Sequence, residues 1–144
     1  MALIPVISVE LTDNLAQDKS LVIKLMAENS NEYLNNVTKF FQDVMNHEEE
    51  MDTDVLTDIA LPHAKSGAVK TPFIVVGKYN PGIIWNNENK VKLVVMIGAP
   101  ENADKEHLTI IAKLASNLAD DDFIEELLNS DIQTVAKLIR GLYE

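Results

Sequence analysis

The chain has no cysteine, which excludes disulfide frameworks, thiolate chemistry and cysteine-ligated zinc. Its five glycines build neither a Gly-x-x-x-x-Gly-Lys loop nor a Gly-x-Gly-x-x-Gly turn, so a nucleotide has no glycine-rich cradle to enter. Gly-x-Ser-x-Gly is missing as well, and with it the nucleophile elbow of a serine hydrolase. His47-Glu48 does not open a His-Glu-x-x-His motif, because position 51 is Met; no metal and no cofactor are expected. Basic residues are scarce, 12 Lys and Arg against 23 Asp and Glu, for a net charge of −11. Nucleic acid and anionic membrane surfaces need a basic footprint, so neither is an expected ligand. The acidic balance suits a basic protein partner, or it serves solubility alone. No apolar run is long enough for a bilayer span. The start, Met1-Ala2-Leu3-Ile4-Pro5, lacks a basic leader and meets Glu10 where an apolar run would continue. No signal peptide is expected, and the expected location is cytoplasmic.

What is present describes a folded domain. The 144 residues are 47% hydrophobic, enough to bury a core, and residues 1–144 read as one domain without repeat, low-complexity tract or linker. The β-branched stretch Ile4 to Leu11 predicts a strand. Leu21, Val22, Leu25 and Met26 form one helical face within Asp18 to Asn29. Val37, Phe40, Phe41 and Val44, with Met51 a turn further, form another within Asn35 to Met51. Thr57 to Leu61 predicts a short strand, and Thr71 to Lys78 a strand that ends before a Pro81-Gly82 turn. Val91 to Gly98 is apolar on both faces in its later part, which predicts a central strand covered by helices. After Pro100 a helix capped by Asn102 or Asp104 runs to about Leu118. Shorter helices follow over Asp122 to Leu128 and Asp131 to Tyr143. Four strands interleaved with five helices predict an α/β fold. It is a three-layer α/β/α sandwich, a small mixed sheet with helices on both faces.

The chain has three histidines, each near the start or end of a predicted element. His63 follows Leu61-Pro62 at the mouth of a strand, where α/β folds gather their sites. Imidazole can carry a covalent intermediate. His107 lies in the first turn of its helix, where free amides and the dipole favour an anion. His47 lies in the last turns of its helix, at the edge of the apolar face. Each also has a plain alternative. His63 can be a solvated turn residue, and His107 a polar residue on the rim. His47 can be a helix-terminal cation beside Glu48, Glu49 and Glu50, a run that reads most simply as a solvated face.

The segment Asp58-Ile59-Ala60-Leu61-Pro62-His63-Ala64-Lys65-Ser66 resembles the active-site segment of enzyme IIA domains of the fructose/mannitol class (EIIA type 2). These belong to the bacterial phosphoenolpyruvate-dependent sugar phosphotransferase system, where the pattern reads approximately Gly-Ile-Ala-Ile/Val-Pro-His-Gly. The likeness continues in order. Val75-Val76-Gly77 through Ile84-Trp85 resembles the family's hairpin, and Val91 to Gly98 its central strand. Glu106-His107-Leu108 with Ile111, Leu114 and Ala115 resembles its second histidine helix. Asp121-Asp122-Phe123 with Leu127-Leu128, and the helix after it, resemble its end.

The resemblance implies a phosphocarrier. His63 would take a phosphoryl group from the phosphohistidine of the carrier HPr and pass it to a IIB component. His107 would hold the phosphoryl oxygens or orient the imidazole, and Lys65 and Ser66 are further donors nearby. HPr-like carriers in this family surround their histidine with basic side chains, which an acidic rim would attract. Two departures stand out. The family usually has Arg-Glu, with the arginine sixteen positions before the active histidine; here that pair is His47-Glu48. Histidine keeps a donor but loses arginine's bidentate fork and permanent charge. Family glycines are replaced by Leu56 and Asp58. These departures leave open a regulatory IIA-like module, whose phosphorylation controls a partner rather than sugar uptake, or a binding module that is no longer phosphorylated.

Overall fold

The computed structural model describes residues 4–14, 18–50, 58–86, 89–102 and 105–144; for residues 86 and 105–108 it describes the backbone alone. The chain order is β1 (Val6–Glu10), α1 (Lys19–Glu28), a 3-10 turn (Asn31–Tyr33), α2 (Val37–Glu50), β2 (Ile59–Ala60), β3 (His63–Ser66), β4 (Phe73–Asn86), β5 (Asn89–Pro100), α3 (Lys105–Asn117), α4 (Asp121–Asn129) and α5 (Ile132–Gly141). Asp18 accepts a hydrogen bond from Leu21 N at 2.8 Å, and Asn36 from Lys39 N at 3.0 Å, so α1 and α2 begin on side-chain caps. Asp120 and Asp131 do the same for α4 and α5. Of the two caps predicted for α3, Asp104 lies outside the described residues.

The five strands form one mixed sheet in the order β1-β4-β5-β2, with β3 following β2 along the same side of β5. β1 runs parallel to β4, β4 antiparallel to β5, and β2 and β3 parallel to β5. Alternation along β5 divides the core in two. Val91, Val94 and Met96 pack with Val22, Ile23 and Met26 of α1 and with Phe40 and Val44 of α2. Leu93, Val95 and Ile97 pack with Ile110 and Leu114 of α3, Leu127 of α4, and Val135 and Ile139 of α5. A strand buried on both faces must be apolar throughout, which is what β5 shows from Leu93 to Pro100. The three-layer sandwich expected from the sequence is the observed fold.

Two expectations change in detail. The strand predicted to stop before Pro81-Gly82 continues to Asn86. Its register jumps from Lys78↔Leu93 to Ile83↔Val91, so Pro81 lies in an irregularity where its missing N–H costs no ladder bond. Gly82 supplies the positive φ of 98° that the irregularity needs. The turn expected around His63 is the short strand β3, which pairs His63 with Ile97 and Ser66 with Pro100. Among the described residues no helix is long and apolar enough to cross a membrane.

Candidate functional site

The strand that carries His63 is broken just before it. Ile59 and Ala60 pair with Leu93 and Val94; pairing resumes at His63 and Ile97. Between them lie Leu61 and buried Pro62, which has no N–H to give a ladder. Pro62 keeps the chain on the sheet through its carbonyl, which accepts from Ile97 N at 3.0 Å. The Leu61 carbonyl instead lies 2.7 Å from Nδ1 of the half-buried His63 ring. A carbonyl only accepts, so Nδ1 carries the proton, and Nε2 of the neutral ring keeps its lone pair. Burial lowers the His63 pKa from the usual 6.5, and the neighbouring His47 pushes the same way. The Leu61 carbonyl and the Glu48 carboxylate oppose this without overcoming it. The ring is therefore held in its uncharged form, with Nε2 the unprotonated nitrogen.

Helix α2 brings a second imidazole. The rings of His47 and His63 lie with centroids 4.5 Å apart and planes tilted by 55°. Glu48, next in sequence, is only 2% exposed and accepts from Trp85 Nε1 at 3.3 Å. This corrects the reading of the Glu48-Glu49-Glu50 run as a solvated face: Glu49 and Glu50 are exposed, but Glu48 is not. The physical reason lies in the helix period, because Glu48 is one turn beyond buried Val44 on the same face.

The remaining predicted site residues divide. Lys65 is exposed on β3. Ser66 is 2% exposed; its hydroxyl donates to Asp43 Oδ2 at 2.6 Å and accepts from Ala68 N at 3.1 Å. Asp43 also takes a hydrogen bond from Lys39 Nζ at 2.9 Å. Burial would raise the Asp43 carboxyl, but the Ser66 hydroxyl and Lys39 ammonium outweigh it and hold the group below the usual carboxylate range. His107 lies in the first turn of α3, and its side chain lies outside the described residues. Sequence reasoning did not find Asp43, the Leu61 carbonyl or the Trp85 indole. For Asp43 the signal was thin: a carboxylate four residues before His47, hence on the same side of α2. Among the described residues, no three His, Cys, Asp or Glu side chains gather where they could hold a metal ion.

The domain is a mixed-sheet α/β/α sandwich with His63 on a strand interrupted at Pro62. The family described as phosphoenolpyruvate-dependent sugar phosphotransferase system, EIIA 2, matches residues 3–141, and the chain belongs to that family. It is 25% identical over 111 residues to the fructose-like EIIA component of Escherichia coli (strain K12), covering 76% of this chain and 75% of that protein. It is 31% identical over 104 residues to the fructose-specific EIIA component of Haloferax volcanii, covering 70% and 68% of the two chains. In three dimensions it resembles the NMR structure of the complex of enzyme IIA-mannitol with phosphorylated enzyme IIB-mannitol from Escherichia coli. That match has a TM-score of 0.71 at 23% identity and covers 92% of this chain and 99% of that one, a likeness of fold. The chain is thus an EIIA component of a sugar phosphotransferase system, and its role is phosphotransfer.

Proposed function

We propose that His63 is the residue that carries the phosphoryl group, taking it from the phosphohistidine of HPr and passing it to a IIB component. One observation carries this reading: the hydrogen bond at 2.7 Å from His63 Nδ1 to the Leu61 carbonyl, which leaves Nε2 as the attacking atom. The Nε2 lone pair attacks the donor's phosphorus. The donor's N–P bond breaks, and its electron pair returns to the donor imidazole. The proton on Nδ1 stays where it is, held by Leu61, so no base is needed. Transfer to the IIB component repeats the step with His63 as the leaving imidazole. Transfer between two imidazoles asks mainly for positioning and for stabilisation of the phosphoryl oxygens. His47, whose ring centroid lies 4.5 Å from that of His63, is a described side chain able to serve those oxygens. His107 is the second site histidine, and the free amides at the start of α3 assist it. The Glu48 carboxylate favours the charged form of His63, and Lys65 lies exposed two residues further along β3.

Intact-mass spectrometry after incubation with phosphoenolpyruvate, enzyme I and HPr tests this. One acid-labile phosphoryl on the parent and none on His63→Ala is the expected result. An unmodified parent beside a loaded control IIA protein in the same tube would overturn it. The His47 departure favours one second reading, a regulatory module loaded in the same way. A loaded parent that passes nothing to a IIB component would select that reading.

A further inference from the structure

We propose that Asp43 and Ser66 are positioning residues, a clasp between α2 and β3 that holds the His47 ring against the His63 ring. Its bearing on transfer rate rests on the reading of His63 given above. The two elements run past each other as a pair of rungs. Asp43 meets Ser66 at one rung, with Oγ to Oδ2 at 2.6 Å; His47 meets His63 at the other, with centroids 4.5 Å apart. Asp43 and His47 are four residues apart on α2, about one helical turn. Ser66 is three residues beyond His63 on β3. Both contacts join α2 to β3, so a slide or rotation of the helix that breaks the first also displaces the second.

Apolar packing cannot do this alone. Phe40 and Val44 seat α2 on the sheet, but the hydrophobic effect has no direction and tolerates a slide or a small rotation of the helix. A short hydrogen bond to a carboxylate does not. The clasp is also fully built. The Ser66 hydroxyl is buried, donates once, and accepts from Ala68 N at 3.1 Å, so its rotamer is held from both sides. Lys39, more exposed than Asp43, donates to the same carboxylate oxygen at 2.9 Å. Ser66 is therefore occupied with α2 and is not a donor to a phosphoryl group.

The test measures the single-turnover rate of phosphoryl transfer from phospho-HPr, and the proximity of the His47 and His63 rings by NMR on the unphosphorylated protein. Asp43→Ala and Ser66→Ala should each slow the maximal rate about tenfold, the scale expected of a slight misplacement of reacting groups. The apparent affinity for the donor should be unchanged, and the two rings should move apart. Asp43→Asn, whose amide oxygen can still accept from Ser66, should restore both rate and ring geometry. The double variant should be no slower than the worse single one, because both remove one interaction. Lys39→Ala, acting at the exposed rim, should change the rate less than twofold. Rings that stay together, with an unchanged maximal rate, in Asp43→Ala and Ser66→Ala would overturn the clasp and leave the role of His63 standing. A parent that takes no phosphoryl group, while the rings separate in both variants, would overturn the functional reading and leave the clasp standing.

Discussion

At the scale of single residues, His63 makes the protein sensitive to pH near the imidazole range. Burial, with His47 beside it, lowers its pKa from 6.5. The unfolded chain therefore takes up the proton more readily than the folded one. The ring's contribution to stability is complete above 6.5 and is lost as pH falls through the lower folded value. Under the proposed function the same titration would remove the nucleophile. Phosphoryl acceptance should hold as pH falls to about the normal imidazole range and decline below it; a decline beginning well above pH 6.5 would contradict the burial. Glu48 acts in the opposite sense, since its carboxylate raises the His63 value. Glu48→Gln should move the His63 midpoint further down, as read from ring proton shifts by NMR; an upward move would show that the carboxylate does not act on the ring. Asp58 offers a prediction of another kind. It stands where the family pattern has glycine, and its φ is +64°, a region where most side chains are strained and Asp less than others. Its carbonyl accepts from Lys92 N and Leu93 N, bonds a glycine would keep. Asp58→Gly should stabilise the fold by about 0.5–1 kcal/mol, seen as a higher urea midpoint; an equal or lower midpoint would mean that the left-handed turn carries no strain here.

At the scale of elements, the central pair of strands is fitted closely. A Cβ built on Gly98 of β5 would lie 2.4 Å from the Phe73 ring of β4, and Phe73 itself stacks on Tyr33 at 5.7 Å between centroids. The ring has little room to yield. Gly98→Ala should cost about 1–3 kcal/mol, the scale of an overpacked core, as a fall in the thermal midpoint; a loss under about 0.5 kcal/mol would show that the ring can move. This strand was also the most legible part of the sequence. An unbroken apolar run reports burial on both faces, and the stripes of α1, α2 and α5 report single faces. β3 was illegible for the opposite reason. His-Ala-Lys-Ser has no strand pattern of its own, and its conformation comes from the backbone of β5. The site divides in the same way. His63 and His107 were singled out from their places at element ends, while the role suggested for His47 came from the family pattern. Glu48 could have been found by counting one turn on from Val44. Asp43 could not, because its partner Ser66 lies 23 residues away and only the folded sheet brings them together.

At the scale of the whole molecule, the governing quantity is charge. A net −11 with an isoelectric point near 4.6 surrounds the protein with a negative field. Under the proposed function that field has a cost at the paired imidazoles: a phosphoryl group there would add negative charge to an already acidic protein. His47 offers a donor there without the permanent positive charge of an arginine. The added charge makes the group easier to lose, which suits a carrier that must release it. Under the proposed function the same field would draw in a basic donor. Opposite charges raise the rate of encounter, and dissolved salt screens them within about 8–10 Å at physiological strength. Raising the salt concentration should therefore slow phosphoryl transfer from a basic carrier such as HPr. The fall should lie in the second-order rate, by about tenfold between low and high ionic strength, with the maximal single-turnover rate unchanged. The separation matters, because under the proposed mechanism the chemistry belongs to half-buried His63, which bulk salt screens weakly, whereas approach takes place through solvent. A second-order rate independent of salt would refute steering while leaving the role of His63 intact. A maximal rate that falls with salt would place a solvent-exposed charge in the transfer step itself, for which exposed Lys65 beside His63 would be the first residue to replace.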